Sequence, residues 1–498
     1  MRCSDMEYLS TRGAAERVSA SSAIAHGLAP DGGLYVPDSL PRVDGQELEL
    51  LRRSGYRERA ERIMAPFLPE FTAGEISALC AAAYGDNFDS PLTAPVRFVD
   101  SGTGYLELWH GPTSAFKDMA LQMLPRLLVS SLKKCGERRG VCILVATSGD
   151  TGKAALEGFA DVEGARILVF YPQGGVSDVQ RLQMVTQRGV NVGVSAVEGN
   201  FDDAQAGVKR IFSDADFARV LDGRGWFLSS ANSINWGRLL PQIVYYFSAY
   251  CDFVNSGRIA MGERLDFCVP TGNFGNILAG WMAREMGLPA GKFICASNEN
   301  NVLTDFIGTG VYDRRRPFHM TESPSMDILV SSNLERLLYF LSGDAGRVSR
   351  WMGELAREGR YDVGAETLGR IRGAFGAGCC DDARTEREIA RVWREHGYLI
   401  DTHTAVASGV LADARAKGEQ SGPCCVVSTA SPYKFCASVL SALGEAADAP
   451  GVELIGRLEA ATGTKAPAPL ASLAGAEERF TGCTAPEGMR DVVDAFLS

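Results

Sequence analysis

The sequence has no hydrophobic run that could cross a membrane as a helix. A membrane-spanning helix needs about 18 to 20 mostly apolar residues, whereas the apolar runs of this chain, such as "ARILVFYP", are far shorter. The N-terminal segment "MRCSDMEYLSTRG" also lacks the apolar stretch of a secretory signal peptide. We therefore expect a cytoplasmic protein with no membrane partner.

An excess of positive charge is absent too. The 498 residues include 50 Lys and Arg against 61 Asp and Glu, which gives a net charge of −11. The arginine-rich stretches, Arg138-Arg139 and 314–316, are short and contain no interleaved aromatic residues. Binding to nucleic acid depends on clustered cations, so we expect no nucleic-acid partner.

Cysteine pairs in the CxxC spacing are also missing. Several of the 13 cysteines lie inside apolar runs such as "VCILVAT" and "LDFCVP". This placement favours buried, reduced thiols over disulfides or a metal site. We therefore expect no bound metal.

What the sequence does contain is a series of short apolar runs, each followed by polar or turn residues and then by a helical pattern. The runs are "VCILVAT" (141–147), "ARILVFYP" (165–172), "NVGVSAV" (191–197), "LDFCVP" (265–270), "KFICAS" (292–297) and "CCVVS" (424–428). Strands that alternate with helices form parallel sheets flanked by helices. The sequence therefore predicts an α/β fold, whose ligands bind beyond the carboxyl ends of the strands.

Changes of composition predict four segments in a chain that is too long for one core. Residues 1–95, rich in turn signals such as "GLAPDGGLYVPDSLP", are predicted to form an N-terminal extra domain. Residues 96–335 form the α/β core, and the charged, helical residues 336–400 form a helical insertion. Residues 401–498 return to the core and end in a C-terminal extension.

A glycine loop follows one predicted strand in "VPTGNFGNILAG". Free backbone N–H groups at the start of the following helix would make this loop an anion site. A dinucleotide fingerprint is excluded, because Gly272, Gly275 and Gly280 do not have the GxGxxG spacing. A tight turn without a ligand remains the alternative.

A second loop, in "ATSGDTGKAALEGF", resembles a shortened phosphate loop. A nucleotide-binding loop needs four residues between its glycines and a Ser or Thr after the lysine, but here two residues intervene and Ala154 follows Lys153. The hydroxyls of Ser148 and Thr151 would instead suit a small carboxylate. The alternative is a plain helix cap.

Two further segments carry polar residues at turns. "SSANSINWGRLLPQ" places Asn232 and Ser233 near Arg238, a combination that suits a phosphate ester but also occurs at ordinary helix starts. Thr429 follows the strand "CCVVS" in "VVSTASPYKF". His403, in "DTHTAVA", is more typical of a structural histidine.

Lys117, in "HGPTSAFKDMALQ", stands at an unusual position. The pattern predicts a helix that starts at Thr113 or Ser114, with Lys117 in its first turn, where the helix dipole disfavours a cation by about 0.3–1 kcal/mol. A lysine joined to an aldehyde as a Schiff base loses its charge, and a free lysine there would have a lowered pKa. With two anion sites nearby, this pattern favours an aldehyde cofactor that carries a phosphate.

These segments together resemble the threonine synthases, pyridoxal-phosphate enzymes of fold type II with a tryptophan synthase β-like core. The resemblance rests on "YLSTRG", "GLAPDGGLYVP", "ELWHGPTSAFKDMALQ", "VATSGDTGKAA", "YPQGGVSDVQRLQM", "NSINWGRLLPQ", "VPTGNFGN", "SPSMDILVSSNLERLL", "DTHTAVA" and "STASPYKF". The N-terminal domain and the helical insertion resemble the long class of many bacteria and fungi. One departure is Ser431-Pro432-Tyr433, where many members have His-Pro-Ala.

The resemblance implies a role for each candidate residue. It implies that Lys117 forms the Schiff base with pyridoxal 5'-phosphate and is the catalytic residue, and that Thr429 faces the ring nitrogen. The cofactor phosphate would be held by Gly272, Asn273, Phe274, Gly275 and Asn276. The substrate carboxylate would contact Ser148 and Thr151, and the substrate phosphate would contact Asn232, Ser233 and Arg238.

The implied reaction converts O-phospho-L-homoserine and water to L-threonine and phosphate, the last step of threonine biosynthesis, in a monomer or homodimer. One alternative is a related lyase that eliminates phosphate and gives a 2-oxo acid and ammonia. A second alternative is a non-catalytic amino-acid-binding protein on the same fold, which an intact Lys117 argues against.

Overall fold

The structure is a computed structural model, and it describes residues 6–14, 16–147 and 149–498. Its strands are short and mostly buried. In chain order they are β1 (Tyr8–Ser10), β2 (Tyr35–Pro37), β3 (Val96–Phe98), β4 (Thr103–Glu107), β5 (Gly140–Ala146), β6 (Ala165–Pro172), β7 (Val192–Val197), β8 (Trp226–Ser229), β9 (Leu265–Pro270), β10 (Ala290–Ser297), β11 (Val311–Asp313), β12 (Arg360–Asp362), β13 (Phe375–Cys379), β14 (Cys424–Ser428) and β15 (Cys483–Thr484).

Helices connect these strands and cover them. In chain order they are α1 (Ala20–His26), α2 (Gly45–Arg53), α3 (Tyr56–Met64), α4 (Ala73–Ala83), α5 (Asp118–Leu121), α6 (Leu124–Lys134), α7 (Asp150–Phe159), α8 (Asp178–Val185), α9 (Phe201–Ser213), α10 (Ala215–Gly223), α11 (Trp236–Asn255), α12 (Gly275–Met286), α13 (Val302–Thr309), α14 (Leu334–Ser342), α15 (Ala345–Glu358), α16 (Gly364–Ala374), α17 (Asp382–His396), α18 (Thr402–Ala416), α19 (Cys436–Leu443), α20 (Gly451–Thr462), α21 (Ala468–Ala471) and α22 (Met489–Phe496). Short 3₁₀ turns occur at Ala65–Phe67, Pro324–Met326 and Pro432–Lys434. Within the described residues, no helix combines the length and the apolar character that crossing a membrane requires.

The strands form two main sheets. The larger has the order β13-β10-β9-β14-β4-β3, and the smaller has the order β15-β7-β6-β5-β8. Neighbouring strands are parallel except for β3, which runs antiparallel to β4. The six apolar runs correspond to β5, β6, β7, β9, β10 and β14. The predicted α/β fold with parallel sheets flanked by helices is confirmed.

Helix α11 is the central helix of the molecule. Of its 20 residues, 17 are buried, as expected for a helix that is surrounded by other elements. It packs against α2, α3, α5 and α12. Its first turns carry Arg238, so the rigid interior of the protein positions this residue.

The N-terminal segment is joined to the core through aromatic and hydrogen-bond contacts. The rings of Tyr8 and Trp236 pack edge to face, 5.4 Å apart. The fully buried guanidinium of Arg336 donates to the Tyr35 carbonyl (2.9 Å) and to the Ile234 carbonyl. These bonds connect β2 and α14 with the segment that precedes α11.

Residues 336–400 are mainly helical, but they also supply β13. This strand pairs in parallel with β10 at the edge of the larger sheet. Its sequence, "FGAGC", has two glycines and only one large apolar residue, so its pattern did not indicate a strand. The division of the chain into four domains stays a prediction.

Candidate active site

Lys117 lies in the turn between β4 and α5. The predicted helix start at Thr113 or Ser114 is wrong, because α5 begins at Asp118 and Lys117 precedes it. The Asp118 carboxylate accepts hydrogen bonds from the backbone N–H (2.8 Å) and the hydroxyl (2.7 Å) of Thr113. These bonds hold residues 113–117 in a turn in place of a first helical turn.

This turn is attached to the end of strand β14. The backbone N–H of Phe116 donates to the Thr429 carbonyl at 2.7 Å, and Ala115 forms a β-bridge with Ala430. Thr429 is itself buried. The turn that carries Lys117 and the segment that carries Thr429 are therefore neighbours, as a shared site for both residues requires.

The amine of Lys117 is buried between a hydroxyl and a carboxylate. Its Nζ donates to Ser325 Oγ at 3.1 Å and lies 4.0 Å from Asp150 Oδ2. Burial lowers the pKa of Lys117 to about 8, and although Asp150 opposes this change, Arg238 adds to it. A lysine with this pKa can act as a base near neutral pH. Burial is the main cause of the lowered pKa.

Asp150 is shared by two lysines. Its Oδ1 accepts from Lys434 Nζ at 2.9 Å and from Gln180 Nε2 at 3.0 Å. Burial alone would raise the pKa of Asp150, but Lys434 and Lys117 hold it well below its usual range. Asp150 is therefore a fixed negative charge beside the Lys117 amine.

The predicted cofactor-phosphate loop connects β9 to α12. Phe274, just before the helix, has a φ of +63°, which is rare for a bulky residue and common at ligand-binding turns. Gly272 packs closely on the turn at Ser325, because a Cβ on Gly272 would lie 2.7 Å from the Ser325 carbonyl oxygen. The loop and Ser325 therefore approach each other directly.

The loop also has unused hydrogen-bonding capacity. Asn276 Oδ1 accepts from the hydroxyls of Tyr245 (2.8 Å) and Tyr246 (2.7 Å), while its buried Nδ2 has no partner among the described residues. An unpaired buried donor is costly unless a ligand satisfies it. Together with the N–H groups at the start of α12, this donor fits a phosphate group.

Arg238 belongs to the second predicted anion site. Its side chain is buried, and one Nη donates to the Ala231 carbonyl at 2.8 Å, while Nε has no partner within the described part of the chain. Burial lowers the pKa of Arg238 to about 10. The predicted residues Ser233 and Asn232 lie just before α11, with Ser233 half-buried and Asn232 exposed. This group can offer a guanidinium and hydroxyl to a phosphate ester.

The segment 331–333 connects the two predicted phosphate sites. Ser331 Oγ donates to the Gly272 carbonyl at 2.7 Å, and Asn333 Nδ2 donates to the carbonyls of Asn273 (3.1 Å) and Ser233 (3.3 Å). The structure therefore brings the two loops together. The signal for this segment was the motif "SPSMDILVSSNLERLL", whose role the sequence did not reveal.

Only one of the two hydroxyls predicted to receive a carboxylate can be located. Ser148 lies outside the described residues, and Thr151 occupies the first turn of α7, where it is half-buried. Gly149 precedes that helix with a φ of +148°, a conformation that strongly favours glycine. A Cβ there would lie 2.5 Å from Gln180 Nε2. Sequence reasoning missed Ser325, Asp150 and Lys434, although each lies in a motif of the resemblance.

His110, at the start of the Lys117 motif, gives a test of the local electrostatics. Its Nδ1 faces Asp89 and its Nε2 lies 2.9 Å from Glu107 Oε2. Burial alone would lower the pKa of His110, but hydrogen bonds to Asp89 and Glu107 raise it to about 9. The imidazole is therefore positively charged at neutral pH.

We expect the stability that His110 contributes to depend on pH. Because the folded-state pKa is raised, this contribution is fully present below the unfolded pKa of about 6.5 and is lost as pH rises through about 9. Screening by solvent around Asp89 limits the stability that His110 contributes to about 2 kcal/mol. Urea unfolding of wild type and His110→Gln should show a difference in unfolding free energy that shrinks over this range. A difference that is constant with pH would contradict the assignment.

Comparisons with known proteins identify the family of this chain. Family descriptions match residues 7–84 ("Threonine synthase N terminus"), 106–430 ("Pyridoxal-phosphate dependent enzyme") and 404–493 ("Threonine synthase, C-terminal"). Threonine synthase of Pseudomonas aeruginosa is 41% identical over 462 residues, which cover 92% of this chain and 95% of that protein. Threonine synthase-like 1 of Homo sapiens is 42% identical over 445 residues, or 86% of this chain, but the match spans only 59% of that longer protein.

Solved structures of similar sequence share the whole fold. The pyridoxal-phosphate-bound threonine synthase from Brucella melitensis has a TM-score of 0.88 and 38% identity, over 99% of this chain and 98% of that chain. Threonine synthase from yeast has a TM-score of 0.89 and 31% identity, over 100% and 99% of the two chains. The chain therefore belongs to the threonine synthases, a family of pyridoxal-phosphate-dependent lyases with fold type II.

Proposed function

We propose that the protein is a threonine synthase that converts O-phospho-L-homoserine and water to L-threonine and phosphate. The observation that carries this proposal is the buried Lys117 amine, close to two distinct segments that are predicted to bind anions. An enzyme of this class needs one phosphate site for its cofactor. A second site, at Arg238, is needed only if the substrate carries a phosphate of its own.

The residues present fit the cofactor. Lys117 would hold it covalently, and Gly272, Gly275 and the Asn276 amide, which the described residues leave unpaired, would hold its phosphate. Thr429 would face the ring nitrogen with a neutral hydroxyl. The bound cofactor supplies the electron sink for the charge that forms at the substrate Cα.

Lys117 moves the protons in the proposed reaction. Its free amine, with a pKa of about 8, takes the Cα proton and delivers protons in later steps. Asp150 and Ser325 stabilise the ammonium form that results, because one supplies a negative charge and the other a hydrogen-bond acceptor.

Arg238 binds the phosphate ester and stabilises the charge that develops as phosphate leaves. A guanidinium in a buried site is effective in this role, because it is already oriented and shielded from water. Thr151 would contact the substrate carboxylate together with Ser148. The substrate is thereby held at both ends while the bond to phosphate breaks.

A lyase that releases a 2-oxo acid and ammonia is the second candidate. It stays an alternative because the relatives include proteins named threonine synthase-like 1 as well as threonine synthases, and because Ser431 and Tyr433 stand where the resemblance leads us to expect His and Ala. The deciding experiment supplies the purified protein with O-phospho-L-homoserine and quantifies threonine, 2-oxobutyrate and phosphate. Threonine in equal amount to phosphate supports the proposal. 2-Oxobutyrate with ammonia would overturn it, and binding without any product would indicate a non-catalytic protein.

We expect Thr429→Asp to lower turnover at least about tenfold, whereas Thr429→Ser should keep most of it. The position is buried, so a carboxylate there is costly unless it draws a proton onto the ring nitrogen. Protonation of the ring would spread the charge into it and divert the reaction to side products. The measurement is threonine yield and kcat for both variants. Equal rates for Thr429→Asp and Thr429→Ser would contradict the proposal that Thr429 is a neutral partner of the ring nitrogen.

A further inference from the structure

A chain of hydrogen bonds connects the buried carboxylate of Asp401 to the amine of Lys117. It runs from Asp401 to His403, from His403 to the backbone of Ser325, and from the Ser325 side chain to Lys117. Asp401 and His403 are separated from Lys117 by more than half of the chain, and their sequence pattern indicated no role in the site.

The orientation of His403 is fixed from both sides. Its Nδ1 lies 2.8 Å from Asp401 Oδ2, so Nδ1 carries the proton that the carboxylate accepts. Its Nε2 then has a free lone pair, and it accepts the backbone N–H of Ser325 at 3.2 Å. Asp401 also caps α18 through the N–H groups of His403 and Thr404, both at 3.0 Å. Both Asp401 and His403 are buried, so this arrangement is rigid.

Ser325 forms hydrogen bonds within the site through its N–H and its hydroxyl. Its N–H is bound by His403, and its carbonyl oxygen lies against Gly272 of the glycine loop. Its hydroxyl oxygen accepts a hydrogen bond from the Lys117 amine at 3.1 Å. The position of this hydroxyl therefore depends on His403, although His403 itself does not touch Lys117.

We propose that His403 is a positioning residue for Lys117, which holds the Ser325 hydroxyl where it receives the free amine during turnover, and that Asp401 acts only by keeping the proton of His403 on Nδ1. This inference rests on the proposed role of Lys117 as the proton carrier. Ser325 forms and breaks no covalent bond. The proton that Lys117 takes stays on Nζ, shared with Ser325 Oγ, until it is delivered.

Two substitutions of His403 separate this role from a purely structural one. His403→Gln can place an amide oxygen near the former Nε2 and accept the Ser325 N–H, but it loses the donor to Asp401. His403→Asn can keep a donor to Asp401, but it cannot reach Ser325. We expect kcat to fall less than about threefold in the Gln variant and about tenfold or more in the Asn variant, with KM nearly unchanged. Equal losses in both, matched by equal losses of thermal stability, would show that His403 only supports the fold.

Ser325→Ala tests the hydroxyl directly, and Ser323→Ala is its control. Ser323 is a buried hydroxyl in the same turn, but it accepts from Asn298 at 3.0 Å and does not contact Lys117. We expect Ser325→Ala to lower kcat about tenfold, Ser325→Thr to restore most of it, and Ser323→Ala to leave it within about twofold. Equal kcat values for Ser325→Ala and Ser323→Ala would overturn the proposal.

A second readout does not depend on activity. In the full-length protein with its cofactor removed, the labelling rate of Lys117 by an amine reagent is followed against pH by peptide mapping. Loss of the Ser325 acceptor destabilises the ammonium, while the other charges around it, Asp150, Asp118, Arg238 and Lys434, stay in place. The labelling midpoint should move to lower pH in Ser325→Ala and His403→Asn, but not in His403→Gln. An unchanged midpoint in all three would overturn the proposal, whereas a wild type that makes no threonine would overturn only the proposed function.

Discussion

Replacing Lys117 with alanine is expected to abolish threonine formation and the visible absorbance of the bound cofactor, while the protein remains folded. The residue would be both the covalent anchor and the proton carrier, so no second group replaces it. The fold should survive because Lys117 lies outside helix α5. Asp150 also keeps its bonds to Lys434 and Gln180 when Lys117 is removed. Activity assays, absorbance spectra and thermal unfolding measure the three parts of this expectation.

The matched control for Lys117→Ala is Lys153→Ala. Lys153 is a neighbouring buried lysine whose amine bonds to Glu157 at 2.8 Å, and its loss should leave the cofactor in place. Borohydride reduction of the wild type, followed by peptide mapping, should locate the cofactor on Lys117. A reduced adduct on Lys153 or on Lys434 would show that the assignment is wrong.

Arg238→Ala is expected to lower kcat/KM for O-phospho-L-homoserine by about 10- to 150-fold. This corresponds to the loss of about 1.5–3 kcal/mol for one hydrogen bond to a charged group. The cofactor should stay bound, because its phosphate is assigned to the loop 272–276 and not to α11. Steady-state kinetics and the absorbance of the purified variant measure the two effects.

Arg238→Lys is the control for the shape of the guanidinium. It keeps the positive charge but cannot form two parallel hydrogen bonds, so its activity should lie between those of wild type and Arg238→Ala. Purification of Arg238→Ala without cofactor would contradict the division of the two phosphate sites. In that case Arg238 would belong to the cofactor site.

Local pattern was enough to predict much of the fold. The strands β5, β6, β7, β9, β10 and β14 have buried, nearly continuous apolar sequences, and their bounds agree with the runs to within two residues. Strands β8 and β13 were missed because one is only half-buried along its length and the other contains two glycines. These strands are defined by their neighbours in the sheet more than by their own residues.

The site was predictable only where each residue carried its own signal. The helix start before Lys117 was placed wrongly, because the Asp118 carboxylate binds Thr113 and stops the turn from becoming a helix. Ser325 and Lys434 reach the site from 208 and 284 residues away in sequence, counted from Lys117 and Asp150. No periodicity within a short window could show such contacts.

The bonds of Arg336 bear on how this protein can be recombined with its relatives. One guanidinium joins a carbonyl of the N-terminal segment, at Tyr35, to a carbonyl beside the predicted substrate-phosphate site, at Ile234. A chimera that exchanges residues 1–95 would keep the arginine and its bond to Ile234 but could displace the Tyr35 carbonyl, and a buried cation that loses an acceptor is costly. Crossover points for such chimeras should therefore keep β2, the segment before α11 and α14 from the same parent.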